Sequence, residues 1–542
     1  MAELQTLLQR GLALHRQGRL AEAEACYRQI LQSAPGAPEA LNLLGALLAQ
    51  LGGAKLAEGI ACLQQAVAAA PQRGDIQLNL AQALRLAGET EAALDAVRTA
   101  RGTLPAQAQE QALLAEGSLL EALGRSAEAI ALYEAAPRSP GLLFALAAAL
   151  NAAGRLDAAE DALTEALAQA PGFAQAHGNL AGIRLKRGKL DPAIASYHQG
   201  LAAAPQEPLL HLGLGNALYR AKDYAGAAEA FRAALALKGD LADGHAGLVN
   251  ALAKGGKTGE ALAAAEAAAA LPAPPPRLLS ELSGILAGLD RKAEALAAAE
   301  QALAAAPHEI RALSRLAPLL RAAGRAEEAA ALFSPGRVLR SRLLSAPPPG
   351  WDSLAAFNRD LAAHIRARPD HTAEAPDAAT KGGSQTAELF GDPAPVVQAL
   401  KTLLEAEVRA ALGAYTTAPP APYFAAPPQS WRLISNAVVL QAAGYQDPHV
   451  HINGYLSGVY YLEIPEEVSR GNGEEGCLYL ADSQAEEARS LREIVRPQEG
   501  LVVLFPSYLW HGTVPYHSDK ERICVAFDLV PEGAGEVRVA EV

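Results

Sequence analysis

The segment Asp447-Pro448-His449-Val450-His451 places two histidines two positions apart in a run that reads as a strand. Residues i and i+2 of a strand project to one face, so His449 and His451 form a metal-ligand pair. A third histidine, His511, follows about 60 residues later. It lies in LFPSYLWHGTVPY, where a strand gives way to a Pro-containing turn. Arg522 then opens ERICVAFDLV, with Cys524 and Ala526 on its own face. A mononuclear iron site that activates oxygen keeps its protein ligands on one side and leaves the other positions open. Those positions take two oxygens of a keto acid and O2. A fixed arginine can then pair the far carboxylate of the acid in bidentate fashion. The order of parts here suits that chemistry: two close ligands, a long gap, a third ligand, then arginine. Asp447 has the strand parity of His449 and is an alternative to His451 as the third ligand. A site built from His449 and His511 alone is a further alternative.

Such a site needs strands to hold it. From Trp431 onward, WRLISNAVVLQAAG, GYLSGVYYLEI, GCLYLAD, GLVVLFPS and RICVAFDLV are short runs rich in Val, Leu, Tyr and Phe, separated by Gly, Pro, Asn and Asp. Five or more such strands within about 110 residues predict a β-sandwich or barrel. Two amphipathic helices precede them, over 351–367 and 393–413, the second with Leu400, Leu403, Leu404, Val408 and Leu412 as its apolar stripe. The polar, Gly-bearing stretch 371–391 between the two reads as a loop. In this frame Tyr461 shares an inward face with Val459 and Ser457, and Tyr460 faces the other way. Phe505 and Trp510 line the pocket or fill the barrel. His364, His371 and His517 read as surface or loop residues, and Cys477 and Cys524 as small core residues.

The first 337 residues carry a different pattern. Helix-breaking turns recur at Gly18, Gly53, Gly88, Gly124, Gly154, Gly188, Lys222-Asp223, Gly256, Asp290 and Gly324. Proline recurs with them, with a spacing of 34 residues from Pro137 to Pro171 to Pro205. Each period holds two helices of about a dozen residues, with alanine soon after the turn. This pattern resembles the tetratricopeptide repeat, in about ten units. Stacked helix pairs form a superhelix with a concave groove that usually binds peptides or proteins; a spacer or oligomerisation scaffold is the alternative. The earlier repeats, with Tyr27, Asn42, Asn79, Asn151, Asn179, His211, Asn216 and Tyr219, carry the side chains suited to recognition.

Composition narrows the classes further. The net charge of -13 argues against nonspecific nucleic-acid binding, which needs a basic surface. The four cysteines (Cys26, Cys62, Cys477 and Cys524) form no CxxC pair, which predicts neither a zinc knuckle nor a disulfide framework. The opening residues lack the apolar core of a secretion signal, and no apolar run is long enough to span a bilayer. The expected location is the cytoplasm.

Residues 351–542 resemble the 2-oxoglutarate- and Fe(II)-dependent oxygenase superfamily. They are closest to a bacterial group with H-x-H, then SGVYYL, then FPS-x-x-x-H, then an arginine on the final strand; GGSQTAELF resembles the start of that group. The resemblance implies a double-stranded β-helix, or jelly roll, with flanking helices. It implies that His449 and His511 bind iron, that Arg522 anchors the 2-oxoglutarate carboxylate, and that Tyr461 reaches the same carboxylate. Gly476 and Asp482 take structural roles. Most of the superfamily has a carboxylate where this chain has His451. The chain is thus expected to be multidomain: an all-α repeat superhelix over 1–337, a linker over 338–350, and an oxygenase-like jelly roll over 351–542. The expected activity is Fe(II)- and 2-oxoglutarate-dependent hydroxylation of a protein or peptide recruited by the repeat groove, with no nucleic-acid or membrane partner. The alternatives are a non-catalytic binding scaffold and a 2-oxoglutarate-independent three-histidine dioxygenase.

Overall fold

The computed structural model describes residues 2–333, 335–373, 379–419, 421–483, 492–533 and 538–540. Two compact units divide the chain, Met1–Gly239 and Asp240–Val542.

The first unit is a run of helical hairpins, from Ala2–Arg16 with Leu20–Ser33 to Pro208–Arg220 with Tyr224–Leu237. The turn inside a hairpin needs a left-handed residue, which glycine adopts without a Cβ clash. Gly18, Gly88, Gly124, Gly154 and Gly188 all have φ between 71° and 80°. Lys222, with φ 62°, takes the same place where glycine is missing. Five residues after these turns come Ala23, Ala93, Ala129, Ala159, Ala193 and Ala227, all wholly buried. A methyl group at that point lets the two helices of a hairpin approach closely, which explains the alanine pattern. Bulk appears where the partner helix offers a gap. The Tyr27 ring fills the space over Gly11, where a Cβ would lie 2.6 Å from the ring. Tyr27 is therefore core rather than recognition surface. Asn42 is also buried and accepts a hydrogen bond from Asn79 Nδ2 at 2.8 Å, so this pair joins successive repeats. Asn179 and Asn216 remain exposed.

The second unit begins with three more hairpins, of which the last two are Pro276–Gly288 with Lys292–Ala305 and Ile310–Ala322 with Ala326–Leu332. Then comes an antiparallel sheet of eleven strands among the described residues: β1 (Arg340–Leu343), β2 (Thr372–Ala373), β3 (Thr380–Gln385), β4 (Trp431–Ile452), β5 (Leu456–Glu463), β6 (Leu478–Ala481), β7 (Glu493–Val495), β8 (Leu501–Pro506), β9 (Trp510–Thr513), β10 (Arg522–Pro531) and β11 (Arg538–Ala540). Its main path runs β1-β8-β5-β10-β4-β9-β6-β7. The long β4 joins two parts of the sheet. Residues 431–440 pair with β10, and the stretch from Gln446 pairs with β9 and β11. Between them Ala443 has φ 63°, and the register shifts between Gln446 and His449. Bulges of this kind bend a strand and re-aim its side chains. The result is a curled, half-barrel sheet of the jelly-roll kind.

Two helices back the sheet. Leu354–Ala367 is capped by Ser353, whose Oγ accepts from Ala356 N at 3.1 Å, and Pro395–Thr417 starts on a proline. The stretch 371–391, expected as a loop, contains β2 and β3 instead; its residues 374–378 lie outside the described ones. Glycine disguised the strand. Gly383 lies so close to β4 that a Cβ would sit 2.4 Å from the Val439 carbonyl, so the position excludes the branched residues that usually mark a strand. Within 338–350, β1 pairs with β8. One hydrophobic core runs from the Ala246 helix through the last hairpins to Leu529. Among the described residues no helix is long and apolar enough to cross a membrane.

Glu160 ties successive repeats in the first unit. Its carboxylate receives Arg184 at 3.0 Å, Lys189 at 2.8 Å, and Arg187. Burial opposes its ionisation, but the three cations hold it down at about 2. The folded carboxyl thus titrates below the unfolded one, so its contribution is complete above pH ~4.5 and is lost as pH falls towards 2. Glu160→Gln should cost roughly 1–3 kcal/mol at pH 7 by removing the charge that Arg184, Arg187 and Lys189 share. In thermal unfolding of the whole chain, the gap in Tm between wild type and variant should narrow steadily below pH ~4.5.

Candidate metal centre

His449, His451 and His511 come together. One ring nitrogen from each lies within 4.8 Å of the others, and all three side chains are buried. The sheet accounts for this. His449 and His451 alternate with Val450 on β4, and His449 stands directly opposite His511 on β9. Opposed residues of an antiparallel pair are the closest side-chain neighbours in a sheet. Ring centroids are 4.3 Å apart for His449 and His511, 4.9 Å for His451 and His511, and 5.0 Å for His449 and His451. Gly512 makes room beside them: a Cβ there would lie 2.5 Å from the Tyr479 hydroxyl on β6 and 2.7 Å from the Gln446 carbonyl on β4.

Each imidazole is oriented through Nδ1. His449 Nδ1–H donates to the Asp447 carbonyl at 2.7 Å, and His511 Nδ1–H donates to the Leu509 carbonyl at 3.0 Å. Carbonyls only accept, so both rings carry their proton on Nδ1 and keep a free lone pair on Nε2. His451 Nδ1 bonds Asp528 Oδ1 at 2.6 Å. Asp528 in turn accepts from Ser457 Oγ at 2.7 Å, and Ser457 lies 2.9 Å from Ser507 Oγ. Burial, followed by the neighbouring His451, pulls the His449 pKa down to about 3. Burial and both neighbouring histidines likewise push His511 well below its ordinary value. These two rings are therefore neutral at physiological pH, the state in which imidazole binds a metal. Asp447 offers its backbone, not its carboxylate, to this group. The carboxylate lies 3.9 Å from Lys381 Nζ and is about a third exposed.

Arg522 and Tyr461 form a second cluster, on neighbouring strands β10 and β5. The guanidinium carbon is 5.2 Å from the Tyr461 ring centroid, and Nη1 donates to Thr513 Oγ1 at 3.3 Å. Thr513 is two residues from His511 on β9, hence on its face. Arg522 is 2 % exposed. Its Nε and the Tyr461 hydroxyl are buried and have no hydrogen-bond partner. Unsatisfied buried donors are costly, and two that border one space are suited to a carboxylate. Tyr460, as its parity requires, faces away and donates to Asn358 Oδ1 at 2.5 Å. The Phe505 ring packs at 4.7 Å against His511. Trp510 faces the other way from His511, onto the last repeat.

Neither Asp528 nor Ser507 was singled out from sequence. The period of two that groups Cys524 and Ala526 with Arg522 also includes Asp528, so that signal was available. The donor set fits a mononuclear metal: three imidazole nitrogens on one side, each held from behind. The Arg522–Tyr461 pair fits an anionic co-substrate.

A family model described as "Putative 2OG-Fe(II) oxygenase" matches residues 434–528, a span that includes all five residues. Tetratricopeptide-repeat models match residues 4–47, 51–110 and 150–217. No curated protein matches the chain. Among solved structures, a tetratricopeptide repeat protein from Parabacteroides merdae shares 18% identity over 46% of this chain and 100% of its own, with a TM-score of 0.36. The APC/C hetero-tetramer Cut9-Hcn1 shares 16% over 59% of this chain and 76% of its own, with a TM-score of 0.34. The chain carries tetratricopeptide repeats and, towards its C-terminus, a domain that matches the family described as "Putative 2OG-Fe(II) oxygenase".

Proposed function

We propose that the chain is an Fe(II)- and 2-oxoglutarate-dependent dioxygenase that hydroxylates a protein or peptide brought to it by the repeats. The observation that carries this reading is the joint geometry of three buried imidazoles fixed through Nδ1 and a buried Arg522 Nε and Tyr461 hydroxyl that have no hydrogen-bond partner. With iron and 2-oxoglutarate bound, such a site supplies oxidative decarboxylation of the keto acid coupled to hydroxylation of a substrate C–H bond.

The chain's own residues set the conditions for this. His449, His451 and His511 would hold the metal through Nε2. Asp528 would hold His451 in one tautomer and place a negative charge behind it. Arg522 would pair the distal carboxylate of 2-oxoglutarate, and the Tyr461 hydroxyl would donate to the same group. Phe505 and the apolar strand faces exclude water from the site, which strengthens each of these electrostatic contacts. Tetratricopeptide repeats mediate protein–protein contacts, which favours a macromolecular substrate over a free metabolite.

The purified chain, loaded with Fe(II) in the absence of oxygen, should release succinate from 2-oxoglutarate once air is admitted. His511→Ala should abolish both metal binding and succinate release. Wild-type protein that binds no divalent metal would overturn the reading, and oxygen uptake without 2-oxoglutarate would point instead to the three-histidine alternative. Arg522→Met should keep its metal but raise the KM for 2-oxoglutarate by about 10²-fold, as expected for a lost charge-assisted bidentate pair. Asp528→Asn should weaken divalent-metal affinity by about 10–100-fold, measured by titration calorimetry, while Ser457→Ala should have a smaller effect in the same direction.

A further inference from the structure

Pro318 lies inside the Ile310–Ala322 helix. Proline has no N–H for the carbonyl four residues earlier, so the Ser314 carbonyl is left free. The Trp510 indole takes it, with Nε1–H donating at 3.1 Å. This bond pins the outward face of β9 to the repeat helix. Beside it is a cavity of about 270 Å³, lined by Gly284, Lys292, Ser314, Arg315, Pro318 and Trp510 among others.

Arg315 gives the cavity its chemistry. The side chain is half-buried, and its Nη1 donates to the Ser280 carbonyl at 2.9 Å. Gly284 makes room for it, since a Cβ there would lie 2.8 Å from the guanidinium carbon. Among the described residues no carboxylate lies within ion-pairing distance of Arg315. Those on the surrounding elements are engaged elsewhere: Glu281 and Glu309 by Arg311, Asp290 by Lys292 at 3.0 Å, and Asp482 by Arg321. Burial pulls the Arg315 pKa below the usual arginine value, against the weaker upward pull of Glu281. A partly buried guanidinium without a close counter-charge favours an incoming anion, and its flat fork matches a carboxylate in shape and charge. The indole and Pro318 offer an apolar wall for a short stem. The volume suits one acidic side chain with a few waters, at about 30 Å³ per water.

We propose that this cavity is a carboxylate-binding subsite that takes an acidic side chain of a partner peptide, with Arg315 pairing the carboxylate and Lys292 at the rim. The subsite lies on the repeat side of β9, on the opposite face from His511, and does not depend on the metal chemistry proposed above.

The test uses the full chain, intrinsic tryptophan fluorescence and titration calorimetry. The probes are the blocked peptide Gly-Gly-Glu-Gly-Gly and its glutamine counterpart. The glutamate peptide should bind at least about tenfold more tightly, as expected for a charge-assisted pair. Arg315→Met should remove that preference, and Lys292→Met, at an exposed position that the fold does not need, should weaken binding a few-fold. His511→Ala should leave binding unchanged, which separates this result from any failure of the oxygenase reading. Equal affinity for the two peptides would overturn the proposal, as would wild-type binding by both Arg315→Met and Lys292→Met. Full displacement of the glutamate peptide by an equimolar amount of sulfate would also overturn it, by revealing a general anion site.

Discussion

Three imidazoles packed with centroids 4.3–5.0 Å apart in a buried space cannot all be charged. His449 and His511 stay neutral, each with its proton on Nδ1 and its Nε2 lone pair free. That constraint governs the strands around them. It requires an acceptor behind each Nδ1, and the sheet provides two main-chain carbonyls and one carboxylate. The carbonyls of Asp447 and Leu509 are each two residues before the histidine they hold, so the strand that carries the ring also orients it. The bend in β4 near Ala443 and the register shift before His449 belong to the same arrangement. They aim His449 at His511 across the β4–β9 pair. A left-handed alanine costs about 1–2 kcal/mol, and such strain persists where the surrounding structure over-determines it.

His451 occupies the position where a carboxylate was expected from the resemblance. The structure places a carboxylate one step further out. Asp528 contacts His451 Nδ1 at 2.6 Å and is itself held by Ser457. A carboxylate behind an imidazole raises the basicity of the far nitrogen and fixes its tautomer. A carboxylate therefore belongs to the histidine cluster, but it reaches the group through the His451 ring.

The parts of this site legible in the sequence are those set by strand period and by side-chain type. The two-residue spacing of His449 and His451, and the parity of Tyr461 against Tyr460, follow directly from the alternation of a strand. The glycine turns and the alanines five residues behind them made the repeats readable for the same reason: local geometry admits few residue types there. Other parts depend on main-chain atoms or on contacts distant in sequence. The Asp447 and Leu509 carbonyls are invisible in a string of side chains, and β3 was hidden by glycines that its close approach to β4 demands. Tyr27 and Asn42 read as recognition residues because an aromatic or amide on a helix carries no mark of which neighbour it meets; Gly11 and Asn79 decide that.

The last repeats show how the helical and sheet parts of the second unit become one body. Their shared core runs without a break from the Ala246 helix to Leu529. Polar contacts then fix the register of that packing. Trp510 Nε1 takes the carbonyl that Pro318 releases, the Tyr508 hydroxyl donates to the Leu332 carbonyl at 2.8 Å, and Asp482 pairs with Arg321. Each of these sheet residues adjoins the site in sequence or in strand pairing. Tyr508 and Trp510 flank Leu509, whose carbonyl holds His511, and Asp482 follows Ala481, which pairs with Trp510 on β9. A displacement of the Ile310–Ala322 helix would therefore act on β9 through the buried Trp510–Ser314 hydrogen bond and on the end of β6 through the Arg321–Asp482 ion pair, and β9 carries one of the three histidines. Helix packing in the final repeats and ring orientation in the histidine cluster are in this way mechanically continuous.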